Sequence, residues 1–347
     1  MIAFLVRRLI LAVLTSLAVS VLAYIVIELP PGDYITSYIA QMSSSGSGVS
    51  EQEAQALRQQ YGLDQPLYVQ YLRWMGMVLQ GNFGMALEYG RPVGEVIGDR
   101  LWLTMVVSVA AIIFTWLVAL PIGIYSAVRQ YSAGDYVMTT IAFFGQSMPT
   151  FWTGLMAMAI FAVALNWFPT GGVRTTGMEG DIVEALANIF TFGRSYPELA
   201  GKQIPTILDG LRHLALPVMV LAFFNMAVWS RYTRSSMLEV MRQDYMRTAR
   251  AKGLVERVVI IKHGLRNALI PLITILALTI PALFAGAIIT ESIFSWPGMG
   301  RMYIDAISNV DWPVVQGLLV ITAGLTIFSN LLADIMYAVV DPRIHYT

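Results

Sequence analysis

Few side chains in this 347-residue sequence have the type and spacing that chemistry requires, and each candidate fails a simple test. Three histidines, His213, His263 and His345, are possible bases, metal ligands or proton-linked switches, because imidazole titrates near neutrality. They stand far apart, without the paired spacing that holds zinc, and there is no cysteine to supply thiolate ligands, a nucleophile or a disulfide. Gly145-Gln-Ser147 contains part of a serine-nucleophile turn, but Pro149 follows closely and no histidine in an apolar stretch can serve as base. Gly201-Lys-Gln lacks the upstream glycine and the following Ser or Thr of a phosphate-binding loop. No catalytic, cofactor-binding or metal site is therefore expected in this chain. His263 sits among cations and is expected to make a structural or interfacial hydrogen bond.

Composition moves the search elsewhere. With 56% hydrophobic and 13% charged residues and a mean hydropathy of +0.63, the chain reads as a bilayer protein. Formal net charge is zero, so no basic excess points to nucleic acid as a partner. A charge in hydrocarbon is expensive and marks function by default, which singles out Asp334 in the last apolar stretch and Glu291 near the outer end of the fifth. Asp334 lies about two helical turns from the inner end, where pairing with loop cations is the plain reading. Glu291, with Trp296 in the turn that follows, is a candidate for an outer gate or pathway contact with a substrate amine, against a plain structural role.

These residues need elements to hold them. A helix takes about 20 predominantly apolar residues to cross roughly 30 Å of hydrocarbon. Six stretches qualify, at about 9 to 29, 101 to 128, 136 to 165, 214 to 231, 268 to 292 and 313 to 340. None alternates apolar and polar residues as barrel strands do, so the expected fold class is all-α, a polytopic membrane protein with six transmembrane helices. Arg7 and Arg8 precede the first stretch, but that run is about twice the apolar core of a leader and reads as a retained helix. Arg7, Arg8, Arg129, Arg343 and the cations from Arg231 to Arg266 fall on one side, taken as the cytoplasm, with both termini inside. Pro121, Pro217 and Pro281 lie within spans and read as local kinks.

Two parts are expected. Residues 1–100 hold the first helix and an external segment: a Ser/Gly tether from Ser43, a helix over Glu51–Gln60 with a Ser50/Glu53 capping pattern and a stop at Gly62, and a second helix after Pro66. Leu67, Tyr71, Trp74, Met75 and Val78 give that second helix an apolar face, for the protein's own helices or for an extracytoplasmic partner. Residues 101–347 hold the other five helices, an external insert at about 166–212 with a helical candidate from Asp181 to Phe190, and a cytoplasmic loop at about 231–268.

That loop reads as helix, turn, helix. Three-and-four spacing places Met237, Leu238, Met241, Tyr245, Thr248 and Ala249 on one face, while Arg242, Arg247, Arg250 and Lys252 crowd the last turns, where cations complement the helix dipole. Gly253 ends this helix, since glycine enters the left-handed region without a Cβ penalty, and a second helix from Val255 to Asn267 returns to the membrane. The run Thr248-Ala-Arg-Ala beside an apolar ridge suits a groove on another protein. Adsorption of a basic loop on anionic lipid is the competing reading, and the residues alone leave both open.

The arrangement Asp244-Tyr-Met-Arg-Thr-Ala-Arg-Ala-Lys-Gly-Leu, followed by His263-Gly-Leu-Arg-Asn-Ala-Leu-Ile-Pro, is similar to the EAA loop of ABC importer permeases in its dipeptide/oligopeptide form. The general motif has Glu-Ala-Ala before a glycine and Ile-x-Leu-Pro after it. Here Arg247-Thr-Ala stands first, Gly253 is kept, and His263, Leu265 and Arg266 occupy the later positions, departures that resemble the peptide branch. Tyr61-Gly-Leu-Asp-Gln-Pro, Ser147-Met-Pro-Thr-Phe, Phe168-Pro-Thr-Gly-Gly, Glu291-Ser-Ile-Phe-Ser-Trp-Pro-Gly-Met-Gly-Arg and Asp341-Pro-Arg-Ile extend the likeness over the chain, the 172–206 insert excepted. The chain thus resembles a B-type membrane subunit of the peptide/nickel permease family.

The resemblance implies a non-enzymatic permease in a prokaryotic plasma (inner) membrane, forming half of a pathway for di- or oligopeptides. Oligosaccharides or nickel chelates are the alternative cargo. A secondary transporter is the alternative class, although such carriers usually show more midplane acids and paired repeat halves. Implied partners are a second homologous permease subunit, two cytoplasmic ABC ATPase subunits that hold ATP and Mg, an extracytoplasmic substrate-binding protein and membrane lipid. Asp244, Tyr245, Arg247, Thr248, Ala249, Arg250, Ala251, Lys252, Gly253, His263, Leu265 and Arg266 are the implied ATPase-coupling residues.

Overall fold

A computed structural model describes residues 2–28, 65–191, 194–199 and 201–340. The tether from Ser43, the Ser50/Glu53 cap, the helix over Glu51–Gln60, Gly62, the Asp341-Pro-Arg-Ile ending and His345 lie outside these residues. Within them helix dominates, and strand is confined to a two-stranded antiparallel hairpin, β1 (Met85–Ala86) and β2 (Arg91–Pro92), with Met85 opposite Pro92.

The N-terminal helix α1 (Ile2–Glu28) is joined by α2 (Leu67–Leu79). Tyr24, Tyr71 and Trp74 form an aromatic cluster with centroids 5.4 to 6.1 Å apart. Ser20 Oγ lies 2.9 Å from the Tyr71 hydroxyl, and Tyr24 donates to Gln70 Oε1 at 3.2 Å. The α2 face carrying Tyr71 and Trp74 therefore packs on the protein's own first helix. Leu67, expected on that face, turns outward.

Four helices among the described residues are long and apolar enough to cross a membrane, or five if one bent pair counts as a span. The longest are α3 (Val93–Val128) and α7 (Gln203–Met241), which pack along each other; α10 (Arg266–Ala285) packs on α13 (Trp312–Val340), which also receives α1. The expected first span falls on α1, whose described apolar stretch, Ile10–Ile25, is shorter. The expected fourth span, 214 to 231, is only the middle of α7. With 39 residues that helix reaches roughly 58 Å, well beyond a bilayer, and carries the root of the 231–268 loop.

Two expected spans are interrupted. Between 136 and 165 the chain runs as α4 (Ala133–Ser147) and α5 (Thr150–Ala157), the latter continuing as a π-helix over Met158–Ala164, with a bend of 106° between the pair. Pro149 is the cause: its ring disfavours helical geometry at the preceding residue, and Met148 sits at ψ 135°. The bend leaves an apolar cavity of about 410 Å³ against α7, bordered by Met148, Trp152, Met156, Met219 and Phe223. The stretch 268 to 292 is likewise broken, where α10 stops at Gly286 (φ 79°) and α11 (Ile288–Ile293) begins. Pro121, Pro217, Pro271 and Pro281, by contrast, remain inside continuous helices.

The insert holds α6 (Ile182–Phe190), close to the expected 181–190. Asp181 caps it, accepting from the Val183 and Glu184 amides, while Glu184 returns a carboxylate oxygen to the Asp181 amide. Asp334 falls within α13, and its side chain is outside the described residues.

Candidate functional site: a cationic turn and the buried network opposite it

The 231–268 region is helical almost throughout. After α7 ends at Met241, Gln243 takes an extended conformation (φ −73°, ψ 150°), and α8 (Asp244–Ala251) begins as a separate helix. This interruption corrects the single face expected from Met237 to Ala249, because two non-helical residues reset the angular register. Met246, Ala249 and Val259 are buried together, with Val240 and Met241 packed against them, whereas Tyr245 and Thr248 point outward. Ala249 is therefore part of the loop's own core and does not belong to an exposed small-residue surface.

Gly253 takes φ 74°, the left-handed region expected of it. No atom lies within 4 Å of where its Cβ would stand, so the demand for glycine is conformational rather than steric. Arg250 forks across this turn onto Glu256, with Nη2 2.9 Å from Oε1 and Nε 3.2 Å from both carboxylate oxygens. Hydrogen bonding to Glu256 raises the Arg250 guanidinium above its ordinary value. Arg250 is thus engaged within the turn. Asp244 lies 3.7 Å from Arg247 with both side chains largely in solvent, which is worth little. The outward set is Tyr245, Arg247, Thr248, Ala251, Lys252, Leu254 and Val255. His263 and Leu265, both half-buried, lie on the return helix, a π-helical stretch from Val259 to Leu265, and the exposed Arg266 opens α10.

Roughly 30 Å away along α7, measured from Arg234 to His213 at 1.5 Å per residue, the other quoted motifs converge. α12 (Met299–Ser308) starts from Gly298, which has no side chain to cap it. The carboxylate of Glu291 takes that role: Oε2 accepts the Arg301 amide at 3.0 Å, while Oε1 accepts the Thr104 hydroxyl at 3.0 Å and the Ala287 amide at 3.2 Å. Thr104 in turn accepts the Met299 amide at 2.8 Å. A Cβ on Gly298 would overlap this carboxylate, which accounts for the glycine. An anion at a helix N-terminus is also favoured by the helix dipole.

Trp296 is fully buried among Leu103, Val107, Leu214 and Val218, and its indole N–H donates to the Leu103 carbonyl at 3.1 Å. The Phe168-Pro-Thr-Gly-Gly loop reaches the same place, the Gly172 amide donating to the Phe294 carbonyl at 2.8 Å. His213 is buried beside it, with Nδ1 3.0 Å from the Gly171 carbonyl, so that nitrogen must carry the proton. These contacts bear on the candidate contact with a substrate amine. Glu291 is 1% exposed with both oxygens engaged, so it holds a turn together and cannot meet a substrate amine as it stands, and Trp296 is core.

A third charged cluster was not singled out from sequence. Asp135, 3% exposed in the first turn of α4, accepts the Tyr131 amide at 3.0 Å and Arg234 Nη2 at 2.9 Å on Oδ2, and Thr139 at 3.4 Å on Oδ1. Arg234 also donates from Nε to the Ser126 carbonyl at 3.4 Å, so one ion pair joins α3, α4 and α7. The spacing Ser132-x-x-Asp135 is a capping pattern, and the Ser132 hydroxyl does accept the Asp135 amide at 3.2 Å. That pattern was the legible signal. Asp135 lies at the border of an apolar stretch and Arg234 is one cation among many, so neither stands out in the sequence.

Acids outside the spans are shifted in both directions: the hydrogen bond from Arg250 lowers Glu256, whereas burial acts the other way on two more. Burial raises Asp311, which accepts the Glu88 amide at 3.1 Å, and burial raises Glu184. Among the described residues no group of three or more His, Asp or Glu is placed to hold a metal ion.

Comparison with known proteins supplies the context. Residues 119–346 match the family of binding-protein-dependent transport system inner membrane components, and residues 1–110 match the model of the N-terminal part of such membrane components. The oligopeptide transport system permease protein AppB of Bacillus subtilis is 40% identical over 347 residues, covering 100% of both chains. The dipeptide transport system permease protein DppB of Escherichia coli K12 is 38% identical, covering 100% of this chain and 99% of its own. The di/tripeptide transport system permease protein DppB of Pseudomonas aeruginosa is 39% identical with the same coverage.

Proposed function

Because this chain belongs to the family of binding-protein-dependent transport system inner membrane components, and is a multi-pass plasma-membrane permease subunit of a peptide ABC importer, we propose that its α8–Gly253 turn is the contact through which separate ATPase subunits drive it. It is a permease and not an enzyme. ATP and Mg belong to two cytoplasmic ATPase partners, a second homologous permease completes the pathway, and an extracytoplasmic binding protein delivers the peptide. The cationic turn faces the cytoplasm in this reading, with both termini on the same side.

One observation carries the coupling reading. The turn has its own buried core, Met246, Ala249 and Val259, together with an Arg250–Glu256 clasp, yet it leaves Tyr245, Leu254 and Val255 41%, 40% and 71% exposed beside Arg247 and Lys252. A pre-formed knob that exposes apolar and cationic side chains suits a groove on a moving partner. A loop lying flat on lipid would have no need of an internal core. The relatives' names supply the cargo, dipeptides and oligopeptides.

Affinity purification of the tagged chain from its native membrane tests this. An ATPase pair and a second permease are expected to come down with it, and replacing Tyr245 and Val255 by Asp is expected to lose the ATPases while retaining the second permease. A chain that purifies alone and still carries peptide in proteoliposomes would overturn the reading.

A further inference from the structure

The Asp135–Arg234 pair stands apart from both the cationic turn and the buried network, and its position lies between them. A carboxylate 3% exposed at the start of a bent membrane helix is costly to keep, and here it both closes the four-residue turn between α3 and α4 and pairs with Arg234 of α7. That turn already contains Tyr131 at φ 59°, a left-handed conformation that a tyrosine adopts only under constraint, and Asp135 holds its amide.

On one side of the pair, Arg234 precedes Met237 by less than one turn of α7. Met237 is buried with Ala127 and Ala268, and Gly264 lies against the ends of both Met237 and Met246, at 3.4 and 3.3 Å from where its Cβ would be. The cationic turn is thus packed directly behind Arg234. On the other side, α4 leads through the 106° bend to α5. There Gly154 packs on Ile293 and Phe294, next to the turn that Glu291 and Trp296 hold. The route from turn to network through α4 and α5 is contiguous, and the ion pair is the one salt bridge between α4 and α7 among the described residues, supplemented by the Arg231 guanidinium of α7 at 5.4 Å over the Phe143 ring of α4.

We propose that Asp135 and Arg234 are positioning residues that lock the bent span α4–α5 to the root of the cationic turn, so that a push on the turn moves the far-end network. This rests on the importer reading above. With the lock open, α8 and α7 would still move, but α4 and α5 would follow incompletely, and hydrolysis would proceed with less transport.

The test uses the complete transporter, with its partner permease, ATPase subunits and binding protein, in proteoliposomes. Peptide uptake and ATP hydrolysis are measured on the same vesicles for Asp135→Asn, Arg234→Gln and the double variant. The expected result is assembly and basal hydrolysis close to wild type, with uptake per ATP lowered roughly tenfold in each single variant, a typical coupling magnitude. The double variant should be no worse than either single one, and Arg234→Lys should recover part of the loss. If wild type transports and every variant that assembles keeps its uptake per ATP, the lock is refuted. If wild type shows neither uptake nor peptide-stimulated hydrolysis, the importer reading itself falls. Should Asp135→Asn fail to assemble, spin labels at Met138 and Glu239 decide. The distance between them should stay constant through the ATP cycle in the wild-type background and change with nucleotide in Arg234→Gln; equal behaviour in both would overturn the proposal.

Discussion

Glu291 receives three donors and no other kind of partner: the Thr104 hydroxyl and the amides of Ala287 and Arg301. A carboxylate suits that surrounding and an amide does not, because the NH2 group of Glu291→Gln must face a donor. The substitution is expected to cost about 2 kcal/mol, the worth of a buried hydrogen bond to a charged group, read as a lower melting temperature of the purified protein. Unchanged stability with altered substrate affinity would instead favour a role for Glu291 in an outer gate or pathway. At Asp311 the argument runs through protons. Burial raises its folded pKa above the unfolded one, so the folded state is favoured below the usual carboxylate range and loses that advantage as pH climbs through the raised value. Asp311→Asn removes the titration and keeps an acceptor for the Glu88 amide. Thermal unfolding from pH 4 to 8 should therefore show the variant gaining on wild type as pH rises.

At the scale of elements, the α8 turn makes the sharpest demand. Gly253 at φ 74° lies outside the range of proline's fixed φ, and alanine there costs about 1–2 kcal/mol. Gly253→Pro is expected to leave membrane insertion intact and lower peptide uptake in reconstituted vesicles by roughly tenfold or more, equivalent to about 1.4 kcal/mol of lost coupling, with Gly253→Ala milder. Uptake at wild-type rate would show that the turn's shape is irrelevant. The glycine was legible because left-handed backbone has a residue signature. The faces around it were not, because Gln243 breaks the helix without any proline or glycine to mark the place. Prolines act in two ways here: Pro149 ends a helix and bends the chain by 106°, while Pro121, Pro217 and Pro281 lie inside helices that continue past them. The α6 helix, expected over Asp181–Phe190, runs from Ile182 to Phe190, and the Asp181/Glu184 capping box that starts it is a local hydrogen-bond pattern of neighbouring side chains.

Across the whole molecule, the sequence by itself determined the solvent, the class and the family. A bilayer imposes about 20 apolar residues per span, and the knob's glycine and cations are contiguous in the chain, so both can be read locally. Only the tertiary structure decided what each rare charge does. Glu291 became a helix cap because α12 folds its amides onto it, and Asp135 became half of an ion pair because Arg234 arrives from 99 positions away. An apolar pattern specifies which face is buried but not which neighbour buries it. The fate of a charge in a membrane protein depends on that neighbour, since the cost of keeping it is set by the donors that packing brings within hydrogen-bond reach.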